Sequence, residues 1–347
     1  MSSAVTADPS DRLPGAISAR VRLLALAAIV VALCLAAGFS IVVGTRIVRW
    51  PDVIAGLSGH AETIDQAVVA VRMPRTVLAA LAGAALGLAG GVMQGITRNP
   101  LADPGILGVN AGAAMAVVIG IAWFGMESLS TYIWVAVLGA GIAACLVYAI
   151  GSLGRGGATP LKLAMAGAAT SIAFASLTVA IVLPRGDIAG AVQSWRVGGV
   201  GGASYDAILP MLPFLAVGLA ISLLSARNLN MLAMGDDTAA TFGVPVSLAR
   251  GAAAIGAVLL CGATTAVCGP IGFIGLVVPH FCRLLVGVDY RWQLPFAALS
   301  GAVLLMAADI LGRIVARPAE MDVAIVTAFL GAPVFIWIVR QRRIREL

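Results

Sequence analysis

Charge is what this sequence has little of. Of its 347 residues, 11% are charged and 61% are apolar, whereas an ordinary soluble domain carries about 25% charged residues. A single soluble globule is therefore excluded. Lysine is nearly absent: Lys162 stands alone, with no glycine-rich loop before it. The phosphate-cradling pattern GxxxxGK followed by Ser or Thr is missing, so the chain cannot hydrolyse ATP through a P-loop. The two histidines, His60 and His280, stand beside no Ser or Cys in a hydrolase pattern. Five cysteines are scattered through apolar runs without metal-ligand spacing, which excludes a disulfide framework and a thiolate metal site. No basic run is interleaved with aromatics, which argues against nucleic acid as a partner.

What is present is apolar length. The mean hydropathy is +1.03, and a bilayer-spanning helix needs roughly 20 apolar residues. Runs broken by Gly, Pro or charge predict spans over 23–45, 64–92, 109–124, 131–152, 160–182, 207–225, 248–268, 271–286, 294–315 and 322–340. The expected fold is an all-α membrane protein, a polytopic bundle of about ten transmembrane helices. Residues 1–22 form an N-terminal tail, 23–340 the membrane domain and 341–347 a C-terminal tail. The run 23–43 is too long for a secretory h-region and lacks a small-residue cleavage site, so it is expected to be retained as the first helix. An even number of spans puts both termini on one side. With that side cytoplasmic, it holds fourteen of the 22 basic residues against eight outside, in keeping with the positive-inside rule. The expected location is the bacterial cytoplasmic (inner) membrane.

Two segments interrupt the pattern with Gly and Pro: 99–110 (NPLADPGILGVN) and 269–280 (GPIGFIGLVVPH). Each follows a long apolar helix, and the topology puts them on opposite sides. Broken helices in corresponding positions are the mark of an inverted repeat; two ordinary helix-ending loops would look similar. Gly83, Gly87, Gly91 and Gly95 recur every four residues, a flat ridge that lets another helix backbone approach. Whether that helix belongs to the same chain is not legible.

Few intramembrane carboxylates are available for ion coupling. Asp309 lies four residues before Arg313, on the same helix face, and is expected to be neutralised by it. Asp103 sits in the first break, where it can bind freed backbone N–H groups. The stretch 229–244 is too polar to span and too apolar for a free linker. Gly235 divides it into two short helices, with Asp236 and Asp237 in the first turn of the second, where carboxylates suit the helix dipole. Leu229, Met231, Leu232, Met234 and Phe242 offer it an apolar surface, either for a cytoplasmic partner or for lipid. On the other side, Arg72 and Arg75 flank Met73-Pro74, and Arg313 and Arg317 end the ninth span. Arginine there runs against the topological bias. Docking of an acidic soluble partner would account for it, and so would snorkelling to lipid headgroups.

Taken in order, Arg72-Met-Pro-Arg75, Gln94 with the 99–112 stretch, Leu229–Gly235, 269–280, Ala308-Asp309-Ile310 with Arg313, and 326–335 (VTAFLGAPVF) resemble the FecCD-type permeases. These are membrane subunits of bacterial ABC importers for iron-siderophores, haem and cobalamin. The resemblance implies a dimer of two such permeases, identical or not, two ABC ATPase subunits below, and a periplasmic or lipid-anchored substrate-binding protein above. The chain itself would bind no cofactor; ATP and Mg would sit on the ATPase. It implies that Arg72, Arg75 and Arg313 meet acidic residues of the binding protein. Leu229, Met234, Gly235, Asp236, Asp237 and Gly243, within 228–246, would form the ATPase coupling loop. Asn99, Pro100, Leu101, Thr159 and Pro160 would lie at the cytoplasmic gate. The chain departs from the family pattern at Glu320–Ala324, which lacks a usual Pro and Gly, and at Ala240, where an Arg is usual. The expected function is inward translocation of a ferric siderophore by alternating access. Alternatives are a haem or cobalamin importer, or a proton-coupled secondary transporter using Asp309 or Asp103.

Overall fold

The computed structural model describes residues 18–58, 62–105, 108–154 and 160–345. Among them are helices and loops and no strands. In chain order the α-helices are α1 (Ala19–Val42), α2 (Trp50–Leu57), α3 (Ile64–Thr97), α4 (Val109–Phe124), α5 (Leu129–Ser152), α6 (Pro160–Val182), α7 (Gly186–Val197), α8 (Tyr205–Ile208), α9 (Leu212–Leu224), α10 (Ala226–Ala233), α11 (Asp236–Thr241), α12 (Val246–Cys268), α13 (Ile274–Val286), α14 (Tyr290–Val315) and α15 (Val323–Arg345). Seven helical stretches are long and apolar enough to cross a membrane, and α4, α13 and the start of α15 are shorter apolar helices. Together they match the ten expected spans.

Boundaries shift where side chains cap the ends. Ser18 accepts the Val21 N–H, so α1 starts at Ala19 rather than 23. Thr63 and Gln66 form a capping box, so α3 starts at Ile64 as expected, with Pro74 within it, and it runs on to Thr97 rather than 92. At the other end, α15 runs to Arg345, through most of the expected tail. Two of the loops between spans contain the short helices α2 and α7, whose lengths are too small for a spanning pattern to register.

The bundle is built around α3. Of its most apolar stretch 78% is buried, against 61% for α12 and α14 and 6% for α1. The glycine ridge explains this. A Cβ on Gly83 or Gly87 would overlap the carbonyl oxygen of Gly301 or Ala297 on α14. Further down, Gly91 lies against the Leu294 side chain and Gly95 against Leu229 and the Tyr290 ring. The partner of the ridge is thus α14 of the same chain, with α10 at its end. Gly90, off that ridge, meets the backbone of Gly275 on α13. Small residues exchange side-chain volume for close backbone approach, the source of van der Waals packing where lipid offers no hydrophobic drive.

The two breaks also meet. The first opens on Arg98 (φ 50°) and closes on Gly108 (φ 71°); the second opens on Gly269 (φ 69°) and closes on Phe273 (φ 68°). Although the chain path puts them at opposite ends of α3 and α12, both fold inward. A Cβ at Gly275 would lie 2.7 Å from the Asp103 carboxylate and 3.0 Å from Pro104. Gln94 of α3 donates to the Gly275 carbonyl (3.1 Å), and its own oxygen accepts from Arg283. The Gly275 carbonyl, which Pro279 four residues on cannot serve because it has no N–H, is therefore satisfied from α3.

Candidate functional site: an arginine platform and a loop that grips two helix ends

At the α3 N-terminal end, four arginines gather around the end of α1. The last carbonyls of a helix have no intrahelical donor and carry partial negative charge. Arg72 donates to the carbonyls of Ile41 (2.9 Å), Val42 (3.1 Å) and Arg46 (2.7 Å). Arg313 donates to the Ser40 carbonyl and hydroxyl, both at 2.8 Å, and Arg317 donates to the Gly44 carbonyl. Ser40 in turn bonds Thr76 (2.7 Å). Asp309 sits between two guanidiniums: Arg75 at 2.8 Å and Arg313 at 3.0 Å. Arg75 also reaches Glu320 at 2.6 Å.

This arrangement gives the expected docking arginines different standing. Arg72 and Arg313 are buried, 5% and 1% exposed, and their donors are directed inward, at the end of α1, the Arg46 carbonyl just after it and Asp309. Arg75 is nearer the surface, through its pair with the exposed Glu320. Arg46, Arg49 and Arg317 are the exposed cations of the same region. The expected Asp309–Arg313 pair is present. Spacing on one helix could not reveal that Arg75, 234 positions away, shares the carboxylate.

At the other end of α3 lies the 229–244 stretch, folded as α10 and α11. Gly235 joins them with φ 111°, a conformation in which a side chain is strained. Asp236 then bridges two helix ends. Its carboxylate meets Arg250 of α12 at 2.8 Å and Arg98, the C-cap of α3, at 3.6 Å. Asp237 is exposed. Gly243 (φ 79°) closes α11, with its N–H on the Ala240 carbonyl and the Val244 N–H on the Ala239 carbonyl. That pair of bonds is a Schellman stop. The apolar residues divide by face: Leu229 and Leu232 are fully buried, whereas Met234 and Phe242 are 59% and 67% exposed. Only the latter two present the expected apolar surface.

α10 is tied to α14 as well. Asn230 donates to the Asp289 carboxylate (2.7 Å) and accepts the Tyr290 N–H (2.9 Å). Neither residue stood out in the sequence; an Asn at the far end of an apolar run is a weak signal unless its partner is known.

The expected gate residues begin one position after Arg98. Asn99 accepts the Leu101 N–H at 3.0 Å, a turn that holds the half-buried Pro100 and Leu101 in place. Pro160 opens α6, and Thr159 lies outside the described residues. Asp103 accepts the Gly105 N–H at 2.7 Å, so it serves freed backbone as expected.

The architecture is that of a multi-pass helical transport protein with interrupted helices meeting near its centre. The FecCD transport family matches residues 24–341, and the chain belongs to that family. It is 41% identical over 303 residues to the probable siderophore transport system permease protein YfiZ of Bacillus subtilis, covering 87% of this chain and 91% of that protein. It is 40% identical to the ferric enterobactin transport system permease protein FepD of Escherichia coli, covering 92% and 96% respectively. The hemin transport system permease protein HmuU of Yersinia pestis is 38% identical over 79% of this chain and 83% of its own length. A solved structure described as an inward-facing metal-chelate type ABC transporter superposes with a TM-score of 0.78 at 27% identity, covering 92% of this chain and 99% of that one. The chain is accordingly an inner-membrane permease of a metal-chelate type ABC importer, not an enzyme.

Proposed function

We propose that this permease carries a ferric siderophore inward, driven by ATP hydrolysis on a separate subunit. The observation that supports it most is the match, over nine-tenths or more of their own lengths, to two permeases named for siderophore and ferric enterobactin transport. The physical frame agrees. Asp309 is held by two arginines, which leaves that carboxylate paired rather than free for proton coupling.

In this reading a second permease completes the pathway, and both termini face the cytoplasm. Two ATPase subunits grip the α10–α11 pair through Met234, Phe242 and Asp237. Because Asp236 binds Arg98, and Asn99 follows it, a push on α11 reaches the gate through one ion pair and one peptide bond. A loaded binding protein docks over the arginine platform. The platform holds Arg72, Arg75, Arg313 and Arg317 against Asp309 and Glu320, an excess of cations that suits an acidic partner. Arg75 and the exposed arginines make the contact; Arg72 and Arg313 fix the surface they stand on.

The test is reconstitution of the permease with its ATPase and binding protein in sealed vesicles, with radio-iron siderophore, haem and cobalamin offered in turn. ATP-dependent uptake of the siderophore alone supports the proposal. Uptake of haem or cobalamin instead, or accumulation driven by a pH gradient without ATPase, overturns it.

A further inference from the structure

A groove with about 960 Å³ of space opens between α5 and α12 and reaches inward to Thr97 of α3 and Pro104 of the first break. That is the upper end of the range for ligand pockets, roughly 300–1,000 Å³. Its walls are apolar: Leu138 and Ile142 from α5 and Ile255 from α12 line it, and each is more than half exposed. Two glycines keep it open. A Cβ at Gly141 would have its nearest neighbour 3.9 Å away, and one at Gly251 would meet nothing within 4 Å. Most helix-facing glycines of this protein sit under a neighbouring backbone; these two face space.

The groove changes character at the end next to α11. Arg250 lines it there. One terminal nitrogen of its guanidinium holds Asp236 at 2.8 Å. The Arg250 side chain is 23% exposed, so its guanidinium is open to the groove. Beside the mouth, Arg98 shares the same Asp236 carboxylate, which sets two cations against one carboxylate. A group bearing negative charge balances them.

We propose that this groove binds an anionic phospholipid from the leaflet on the α10–α11 side. A phosphate oxygen accepts from the exposed part of the Arg250 guanidinium at the mouth, and the acyl chains lie along α5 and α12. Basic pockets between membrane helices bind anionic headgroups in this way, and guanidinium is suited to phosphate. The lipid would bear on the same arginine that positions Asp236, beside the α10–α11 pair. The site does not depend on which chelate is carried.

The test uses the detergent-purified full transporter, with its ATPase, stripped of lipid and titrated with phosphatidylglycerol, phosphatidylcholine or glycerol 3-phosphate. Bound lipid is counted by native mass spectrometry. Alkylation of Cys145, which lines the groove and is exposed, is followed by peptide mass. Phosphatidylglycerol should be retained about tenfold more tightly than phosphatidylcholine, the scale of one charge-assisted hydrogen bond, and should slow Cys145 alkylation. Arg250→Gln should abolish the preference while leaving phosphatidylcholine unchanged. Gly251→Leu, which fills open space and leaves Arg250 in place, should weaken both lipids. Equal retention of the two lipids overturns the proposal, as does protection of Cys145 by glycerol 3-phosphate alone. So does unaltered phosphatidylglycerol binding in both variants, or cross-linking of Cys145 to a second permease, which would make the groove a protein interface.

Discussion

Gly83 of α3 and Gly301 of α14 touch backbone to backbone: a methyl group on either would overlap the carbonyl oxygen of the other. Overpacking in a close-packed interior costs about 1–3 kcal/mol, sometimes more. Gly301→Ala should therefore lower the melting temperature of the purified protein. Gly38→Ala is the control, since nothing lies within 4 Å of that position; it should be neutral or slightly stabilising, because alanine is the better helix former. Equal effects of the two would show that helix propensity, not the contact, governs.

The carboxylate of Asp309 is 1% exposed and serves Arg75 and Arg313 together. Breaking a buried pair by removing one partner costs about 3–5 kcal/mol. Asp309→Ala should reduce stability by that order in denaturant titrations of the detergent-solubilised protein. A double variant with Arg75→Met should be less than additive, because the second change removes one of the orphaned charges. Strict additivity would mean that the two residues act separately.

Asn230 and Asp289 join α10 to α14. Asn230→Ala should leave the ATPase rate of the complex within about twofold and lower substrate transported per ATP by a larger factor, as expected where a tie transmits motion rather than performs chemistry. Burial alone would raise the Asp289 carboxyl. The Arg291 backbone N–H, the Asn230 amide and the charges of Arg291 and Arg22 outweigh it and hold the carboxyl below its ordinary range. The contact is thus present above the unfolded value and lost only as pH falls through the lowered one. The effect of Asp289→Ala should stay constant from about pH 5 to 8; a titration inside that window would contradict this account.

Ala240 is exposed on α11, where the family pattern usually has an arginine. Ala240→Arg should tighten association with the ATPase about tenfold, the scale of one charge-assisted contact, measured as retention of the subunit on purification. If retention is unchanged, the ATPase does not grip that face.

Arg46→Glu combined with Arg317→Glu reverses two exposed cations of the platform. The affinity of the binding protein should fall, and the loss should shrink as salt is raised. Surface plasmon resonance at low and high salt would show it. Unchanged affinity at both would remove docking from this end of the molecule.

Much of this fold could be read from the sequence because a membrane leaves few alternatives: seven apolar runs of spanning length, with three shorter ones among them, form helices there. The ridge of Gly83, Gly87, Gly91 and Gly95 announced close packing, but the identity of the opposing helix depended on where α14 lay in space. The short helices α2 and α7 escaped notice, being outside any spanning period. Charges were the least legible. Arg72 looked like a free outer cation, yet its acceptors are main-chain carbonyls about thirty positions earlier, and a carbonyl carries no signature in a sequence. Asp236 was placed correctly at the start of a helix by its dipole preference. Its bridge from α3 to α12 needed the fold.

The arginines around the end of α1 set an order on how the protein is made. Ser40 emerges early, and its guanidinium partner, Arg313, follows 273 residues later. Until the ninth span is synthesised, the first helix has the open end of its peptide dipoles without their final counter-charge. This rim can therefore be finished only after nearly the whole chain has entered the bilayer, and a chain cut short before α14 would leave the end of its first helix held by Arg72 alone.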